Sequence, residues 1–175
     1  MYMACEYNKE YFISLYERHC DMVYRICCFY LGNKHDAQDA VQSVFTNILK
    51  KELKFNDFEH EKAFLIVSAK NYCKDVLKSF WVRKRVNYDE INEICTKNDK
   101  NINSDIIYNV MNLPYKYKIP VYLYYYEGYS VKEISEILSE KETTIQTQLS
   151  RARKKLKMQL EKEGFYDGER SERTV

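Results

Sequence analysis

Apolar residues recur at helical spacing through the first half of the chain. Over residues 11–31 they fall three or four positions apart, and Gly32 follows directly as a left-handed helix end. A second periodic segment starts near Asp36, and a third covers about residues 61–81, after a loop with two phenylalanines. The pattern predicts a first helical domain over residues 8–85.

The periodicity then stops and resumes further along the chain. Residues 86–108 are rich in Asn and Asp and poor in large apolar side chains, which predicts a short flexible linker. A new helix starts near Pro114, and Pro120 inside it predicts a kink because proline removes one backbone hydrogen bond. We expect a second helical domain at 109–162 and a polar tail at 163–175. The predicted fold class is all-α, with two small domains.

The second domain contains two short amphipathic helices in succession. Ser130 and Glu133 match the S-x-x-E sequence of a capping box, which marks the start of the first helix. Three polar residues at 139–141 precede the second helix, in which Ile145 and Leu149 begin an apolar stripe. This layout is that of a helix-turn-helix, in which the first helix supports a second that lies in the DNA major groove.

The side of the second helix opposite the stripe is polar at its start and cationic toward its end. Hydroxyl and amide groups hydrogen-bond base edges, and Arg and Lys neutralise phosphates. An ordinary helical hairpin with a solvated basic face is the alternative interpretation. The candidate DNA-binding residues are Thr143, Thr144, Gln146, Thr147, Ser150, Arg151, Arg153 and Lys154.

Charge adds a second constraint, because the net charge of +2 is unevenly distributed. Residues 1–80 carry 11 basic and 11 acidic side chains, whereas residues 110–162 carry ten basic and six acidic ones. The basic excess is therefore local to the second domain. Such modest charge fits a protein whose affinity for DNA depends on a larger partner complex.

Other function classes find little support. The six Cys form no C-x-x-C pair, and the three His lack catalytic partners, so we expect no metal site, no cofactor and no enzymatic activity. The thiols fit small buried side chains in a reducing compartment. Without a signal peptide or an apolar run near the roughly 20 residues of a membrane span, we expect a cytoplasmic protein with no membrane insertion.

Three blocks of sequence resemble, in order, the extracytoplasmic-function (ECF) family of RNA polymerase sigma factors. L-Y-E-R-H-C-D-M-V-Y-R-I with L-G-N-K-H-D-A-Q-D-A-V-Q-S-V-F resembles conserved region two. A-F-L-I-V-S-A-K-N-Y-C-K-D-V-L-K-S resembles its promoter-melting helix, and L-P-Y-K-Y-K-I-P through L-S-R-A-R-K-K-L resembles region four. The resemblance covers about residues 11–160. It implies a sigma factor that binds core RNA polymerase and directs promoter-specific initiation.

The resemblance also implies partners. These are the clamp helices of the polymerase's largest subunit, the flap of the second-largest subunit, promoter DNA and an anti-sigma factor, with the chain a monomer when free. The second helix would dock on the clamp helices through its polar face, although a solvated face explains the same pattern. The polymerase-binding candidates are Asp36, Asp39, Gln42, Ser43 and Thr46.

A pocket for a flipped base of the minus-ten element would lie in loop 55–60 and the start of the third helix. Base capture needs stacking surfaces and polar groups for the base edge, and the melted strand needs basic contacts. Hydrophobic packing of the loop and a solvated basic helix end are the alternative interpretations. The candidates are Phe55, Asn56, Phe58, Lys70, Asn71, Lys74, Lys78, Arg83 and Arg85.

The helix-turn-helix would read the minus-thirty-five element, and here the chain departs from the commonest family pattern. Ser139-Glu140-Lys141 replaces a Gly-hydrophobic-Ser turn, and glutamines at 146 and 148 stand where basic residues are frequent. A second S-x-x-E sequence from Ser139 to Glu142 is compatible with a capping box that resets the turn. Two glutamines favour adenine, which accepts a bidentate amide.

A stand-alone helix-turn-helix regulator that works without polymerase is the alternative function. It explains residues 129–156 but leaves the first domain without a role. Such a regulator would usually be a dimer that reads two half-sites, whereas a sigma factor would be a monomer.

Overall fold

The computed structural model describes residues 2–78 and 109–162, with side chains from residue 9 onward. The chain divides into two compact units, Met1–Lys97 and Asn98–Val175. The described residues form helices joined by turns and loops, which confirms the all-α prediction. The linker predicted at 86–108 and the tail predicted at 163–175 lie outside the described residues, so their boundaries stay predictions.

The first unit contains α1 (Tyr2–Leu31), α2 (Lys34–Lys50) and α3 (Phe58–Lys78). Each of these helices packs against the other two. Helix α1 starts nine residues before the predicted point, because apolar spacing marks the part of a helix that packs on a core and not its whole length. The largest fully buried side chains of this unit include Leu15, Val23, Ile26, Leu31, Leu65 and Ile66.

Two residues connect α1 to α2, and the sequence predicted the role of the first, Gly32. Gly32 has a φ of +73°, which a residue without Cβ adopts at little cost, and its N–H donates to the Cys28 carbonyl at 2.9 Å. Asn33 then caps α2, because its Oδ1 accepts from the backbone N–H of Asp36 at 2.8 Å.

The second unit contains α4 (Tyr115–Tyr125), α5 (Val131–Leu138) and α6 (Glu142–Lys162), after a helical segment at residues 109–111. Helix α4 runs through Pro120 as one continuous element. The three helices pack on one another around a compact apolar centre. Its buried side chains include Ile119, Leu123, Ile134, Leu138, Ile145 and Leu149.

The turn between α5 and α6 differs from one of the sequence interpretations. At the start of α5 the capping box of Ser130 and Glu133 is confirmed, with both reciprocal hydrogen bonds present. Ser139, however, adopts the left-handed conformation at φ +54° and ends α5. The Lys141 carbonyl accepts the first backbone bonds of α6. A second capping box from Ser139 to Glu142 is therefore wrong, because an N-cap residue needs extended backbone.

Candidate nucleic-acid and polymerase interfaces

Helix α6 presents one buried side and one exposed side. Ile145 and Ala152 are completely buried and Leu149 is nearly so, which fixes the rotation of the helix against α4 and α5. The opposite side is exposed to solvent over residues 143–154. All the predicted DNA-binding residues of this helix are exposed: Thr143, Thr144, Gln146, Thr147, Ser150, Arg151, Arg153 and Lys154.

The two glutamines of α6 lie in different environments. Gln146 is exposed, whereas Gln148 is half-buried and its Nε2 donates to Glu140 Oε2 at 2.8 Å. Glu140 belongs to the turn between the helices, so Gln148 ties the turn to α6. Of the two amides, only that of Gln146 lies on the fully exposed side, and the preference for adenine stays a prediction.

Arg151 is exposed, and its positive charge acts on Tyr117 of α4. Burial by itself raises the pKa of the Tyr117 phenol, but hydrogen bonds and positive charge from Lys116 and Arg151 outweigh burial and lower that pKa. The Lys116 Nζ also lies 5.0 Å from the centre of the Tyr117 ring.

The sequence analysis did not assign the end of α4 to the interface. Tyr124 and Tyr125 are 40% and 56% exposed, and their ring centres are 4.9 Å apart. Together with Gln146 and Arg153 they line a cleft of about 90 Å³. The signal was the group of tyrosines at positions 122 and 124–126, and it became informative once the packing of α4 against α6 was known.

Helix α3 begins three residues earlier than predicted. Asp57 caps it, since its Oδ1 accepts from the His60 N–H at 2.7 Å and its carbonyl accepts from the Glu61 N–H at 3.1 Å. Phe58 is consequently in the first helical turn and not in a loop, which corrects the predicted loop at 55–60. Its side chain is 51% exposed, and its ring centre lies 5.1 Å from that of His19.

The two phenylalanines differ in how far they are available for stacking. Phe55 is half-buried, with its ring centre 5.1 Å from that of Phe64 and 5.6 Å from that of His60. This contact fits the alternative in which Phe55 packs the loop against the helix. Asn56 and Phe58, in contrast, are both exposed.

The basic candidates on α3 do not share one environment. Lys70 is 8% exposed, because it lies on the buried side between Ile66 and Cys73, so its assignment to an exposed DNA-binding surface is corrected. Lys74 is half-buried, and Lys78 is exposed with an ion pair to a neighbouring aspartate at 2.8 Å. Asn71 is exposed beside a cleft of about 300 Å³ between α2 and α3. Arg83 and Arg85 lie outside the described residues.

A buried carboxylate stands near the start of α3. Glu61 is 4% exposed and accepts hydrogen bonds from Arg18 at 2.8 Å, from His19 at 2.6 Å and from Tyr11 at 3.1 Å. Burial by itself raises the pKa of Glu61, but the hydrogen bonds from Arg18, His19 and Tyr11 outweigh it and the pKa is lowered. Burial lowers the pKa of His19 despite its bond to Glu61, with Arg18 and Lys62 acting in the same direction. The sequence analysis missed this cluster, because its members are distant along the chain.

The polar face of α2 contains both exposed and half-buried residues. Asp39 and Gln42 are exposed and Thr46 is half-buried. Asp36 accepts from the Asn33 side chain at 2.6 Å, and Ser43 donates to the Tyr72 hydroxyl of α3 at 3.0 Å. Asp36 and Ser43 are half-buried and bond within the unit, and the assignment of the five residues to the polymerase contact stays a prediction.

A groove of about 550 Å³ lies beside the polar face of α2, between α1 and α2. Phe12, Tyr16 and Phe45 form much of its apolar wall, and Gln42 and Thr46 lie at its polar side. Across residues 2–78 and 109–162, no helix is long and apolar enough to cross a membrane.

Comparison with known proteins places both units in one family. The model of Sigma-70 region 2 matches residues 15–84, and that of Sigma-70, region 4 matches residues 110–156. The chain is 29% identical over 158 residues to the RNA polymerase sigma factor SigV of Bacillus subtilis, covering 89% of this chain and 95% of that protein. It is 24% identical over 176 residues to the ECF RNA polymerase sigma factor SigW of the same organism, covering 87% and 90%.

A solved structure shows the same fold. The sigma factor RpoE from Bartonella quintana, crystallised with the anti-sigma factor NepR, matches with a TM-score of 0.62 at 14% identity, covering 87% of this chain and 96% of that one. The match to region 2 also accounts for the unit that a stand-alone helix-turn-helix regulator leaves without a role. The chain belongs to the ECF family of RNA polymerase sigma factors, non-enzymatic proteins that bind core RNA polymerase and promoter DNA and direct promoter recognition.

Proposed function

We propose that the exposed side of α6 reads the minus-thirty-five element of the promoter. The observation that carries this proposal is the rotation of α6, which buries Ile145, Leu149 and Ala152 and leaves every candidate reader on the open side. Gln146 is the amide available for adenine, and the hydroxyl and cationic groups around it suit base edges and phosphates. The Thr147 hydroxyl donates to the Thr143 carbonyl at 2.7 Å, which leaves its oxygen lone pairs and methyl group for DNA.

The start of α3 and the loop before it capture a base of the melted minus-ten strand. Phe58 is the exposed ring on which a base can stack, and Asn56 and Asn71 supply amides for base edges. Lys74 and Lys78 follow along α3 and neutralise backbone phosphates, and Arg83 and Arg85 continue that series in the sequence. Lys70 is left out of this surface because it is buried.

The clamp helices of the largest polymerase subunit bind the polar face of α2. Asp39, Gln42 and Thr46 form this face, and the carboxylate of Asp39 suits a basic partner. Asp36 and Ser43 are half-buried, and their side chains are hydrogen-bonded to Asn33 and Tyr72. The second unit contacts the flap of the second-largest subunit, as the family resemblance implies.

An anti-sigma factor is a further partner, and the free chain is a monomer. The support for an anti-sigma factor is the similar fold of RpoE from Bartonella quintana, whose solved structure contains one. The support for a monomer is the presence of two different DNA-reading units on one chain, since such a chain does not need a second copy to read a bipartite site.

Run-off transcription tests the proposal. Purified core RNA polymerase is incubated with and without this protein on the DNA upstream of its own gene, and core binding is measured by pull-down. We expect discrete transcripts that require the protein. Binding to that DNA with no binding to core polymerase would overturn the proposed contacts of α2.

A further inference from the structure

We propose that the buried carboxylate of Glu61 is a positioning group that holds Phe58 ready to stack on a promoter base. This inference rests on the proposed function, in which Phe58 and Asn56 capture a base of the minus-ten strand. Glu61 itself is 4% exposed and does not reach the DNA surface. It acts through the first turn of α3.

The first link is the placement of Glu61 relative to Phe58. The two residues are three positions apart on α3, so their side chains emerge from the same side of the helix, one turn apart. Asp57 caps the helix directly before Phe58. The Phe58 ring therefore lies in a helical turn that is fixed at both ends. Asp57 caps its start, and Glu61 is hydrogen-bonded to α1 at its end.

The second link is the set of donors from α1. Arg18 and His19 follow Tyr11 by seven and eight residues, which places them two turns further along the same side of α1. All three bind the Glu61 carboxylate, at 3.1, 2.8 and 2.6 Å. Three donors from one helix determine both the rotation and the height of the first turn of α3 relative to α1.

The third link is His19, which contacts both Glu61 and Phe58. Its Nε2 is 2.6 Å from Glu61 Oε1, and its ring lies 5.1 Å from the Phe58 ring at an interplanar angle of 38°. The imidazole thus supports the inner side of Phe58, whose outer side is open to solvent. A base that stacks on the outer side meets a ring that is already held, so less conformational entropy is lost on capture.

Promoter opening by the reconstituted holoenzyme tests the inference. A 2-aminopurine in the non-template minus-ten strand reports base capture, and a separate titration measures the affinity for core polymerase. We expect Glu61→Ala to slow opening about fivefold, the factor that corresponds to one hydrogen bond's net free energy. Its affinity for core polymerase should be unchanged. Tyr11→Phe removes a single donor at the edge of the cluster and should slow opening about twofold.

A double-mutant cycle separates positioning from a general loss of stability. If Glu61 acts through Phe58, the Glu61→Ala substitution should have no further effect on opening in a Phe58→Ala background. Tyr72→Phe is the matched control, because it removes the 3.0 Å bond between α2 and α3 at a distance from this turn. We expect that variant to lose thermal stability to a similar degree as Tyr11→Phe and to open promoters at the normal rate.

The outcomes distinguish the inference from the proposed function. If Phe58→Ala slows opening but the Glu61 and Phe58 effects multiply, base capture stands and positioning by Glu61 is overturned. If Tyr72→Phe slows opening as much as Tyr11→Phe, the effect reflects stability and positioning is again overturned. If Phe58→Ala opens promoters normally, the proposed base capture fails, and the inference fails with it.

Discussion

Gln146 and Gln148 are identical side chains two positions apart on α6, yet they lie in different environments. Two helix positions differ by about 200° in direction, so one glutamine faces solvent and the other faces the turn. The bond from Gln148 to Glu140 depends on where the turn places Glu140. Spacing alone predicted the exposed side of α6, but it could not predict which polar residue at its edge would find a partner.

Substitution of these two glutamines should have opposite effects. Gln146→Ala should reduce the preference for adenine at one position of the minus-thirty-five element, by the roughly 1–3 kcal/mol of a bidentate base contact, and should leave the thermal midpoint unchanged. Gln148→Ala should lower the stability of the second unit by about 1 kcal/mol and leave base preference unchanged. Promoter mutagenesis and thermal denaturation measure the two effects, and equal base preference in wild type and Gln146→Ala would contradict the assignment.

The environment of His19 predicts sensitivity to acid. Burial holds the pKa of His19 below its usual value, so the folded state favours the neutral ring. As the pH falls below about 6.5, the unfolded chain takes up a proton that the folded protein binds less well, and stability decreases. The lowered pKa of Glu61 adds a loss of stability at more acidic pH. The thermal midpoint of unfolding should therefore decrease as the pH is lowered from 8 to 5.

A His19→Gln variant serves as the control for that measurement. It lacks the group that titrates near neutral pH, so the decline between about pH 6.5 and pH 5 should become smaller. The other two histidines, His35 and His60, are exposed and are unchanged in this variant. An equal decline in the variant would assign the effect to other groups.

The helices themselves were largely predictable, and their ends were predictable where one residue type determines them. Gly32 and the box of Ser130 and Glu133 are such ends, because each needs only local chemistry. The start of α3 was placed too late, since Asp57 was not recognised as its cap. Ser139 was assigned to the start of a helix that it does not begin. Both S-x-x-E sequences look alike, and only the backbone conformation separates them.

The left-handed Ser139 predicts a stabilising substitution. A residue with a Cβ at φ +54° is strained, whereas glycine adopts this conformation without that cost. Ser139→Gly should therefore raise the stability of the second unit by about 0.5–1 kcal/mol. Ser139→Ala is the matched control, because it keeps the Cβ and should give no such gain. Chemical denaturation of both variants measures the difference, and a gain in the alanine variant would point to the serine hydroxyl instead.

The two units have separate cores and carry separate candidate reading surfaces. The sequence predicted this division, because each set of helices has its own apolar pattern. It could not predict the cluster around Glu61, whose members come from positions 11 to 61 and meet only in the folded unit. Tertiary contacts of this kind leave no local signature in the chain.

Changes in the two surfaces should combine independently. Gln146 is in the second unit and Asn56 is in the first, so neither substitution alters the immediate partners of the other. Transcription by holoenzyme with Gln146→Ala, Asn56→Ala and both together should show free-energy effects that add within about 0.5 kcal/mol. A larger deviation would mean that reading of one element depends on reading of the other.

The bond between Gln148 and Glu140 has a consequence for engineering. It ties the turn to α6 through a residue other than 143, 146, 147 and 150, whose side chains are exposed, so these four positions are free to vary without loss of this bond. A library randomised at residues 143, 146, 147 and 150 should consequently yield many folded variants with altered promoter choice. This sigma factor is therefore a suitable scaffold for orthogonal gene circuits, in which several variants share one polymerase and each activates its own set of promoters.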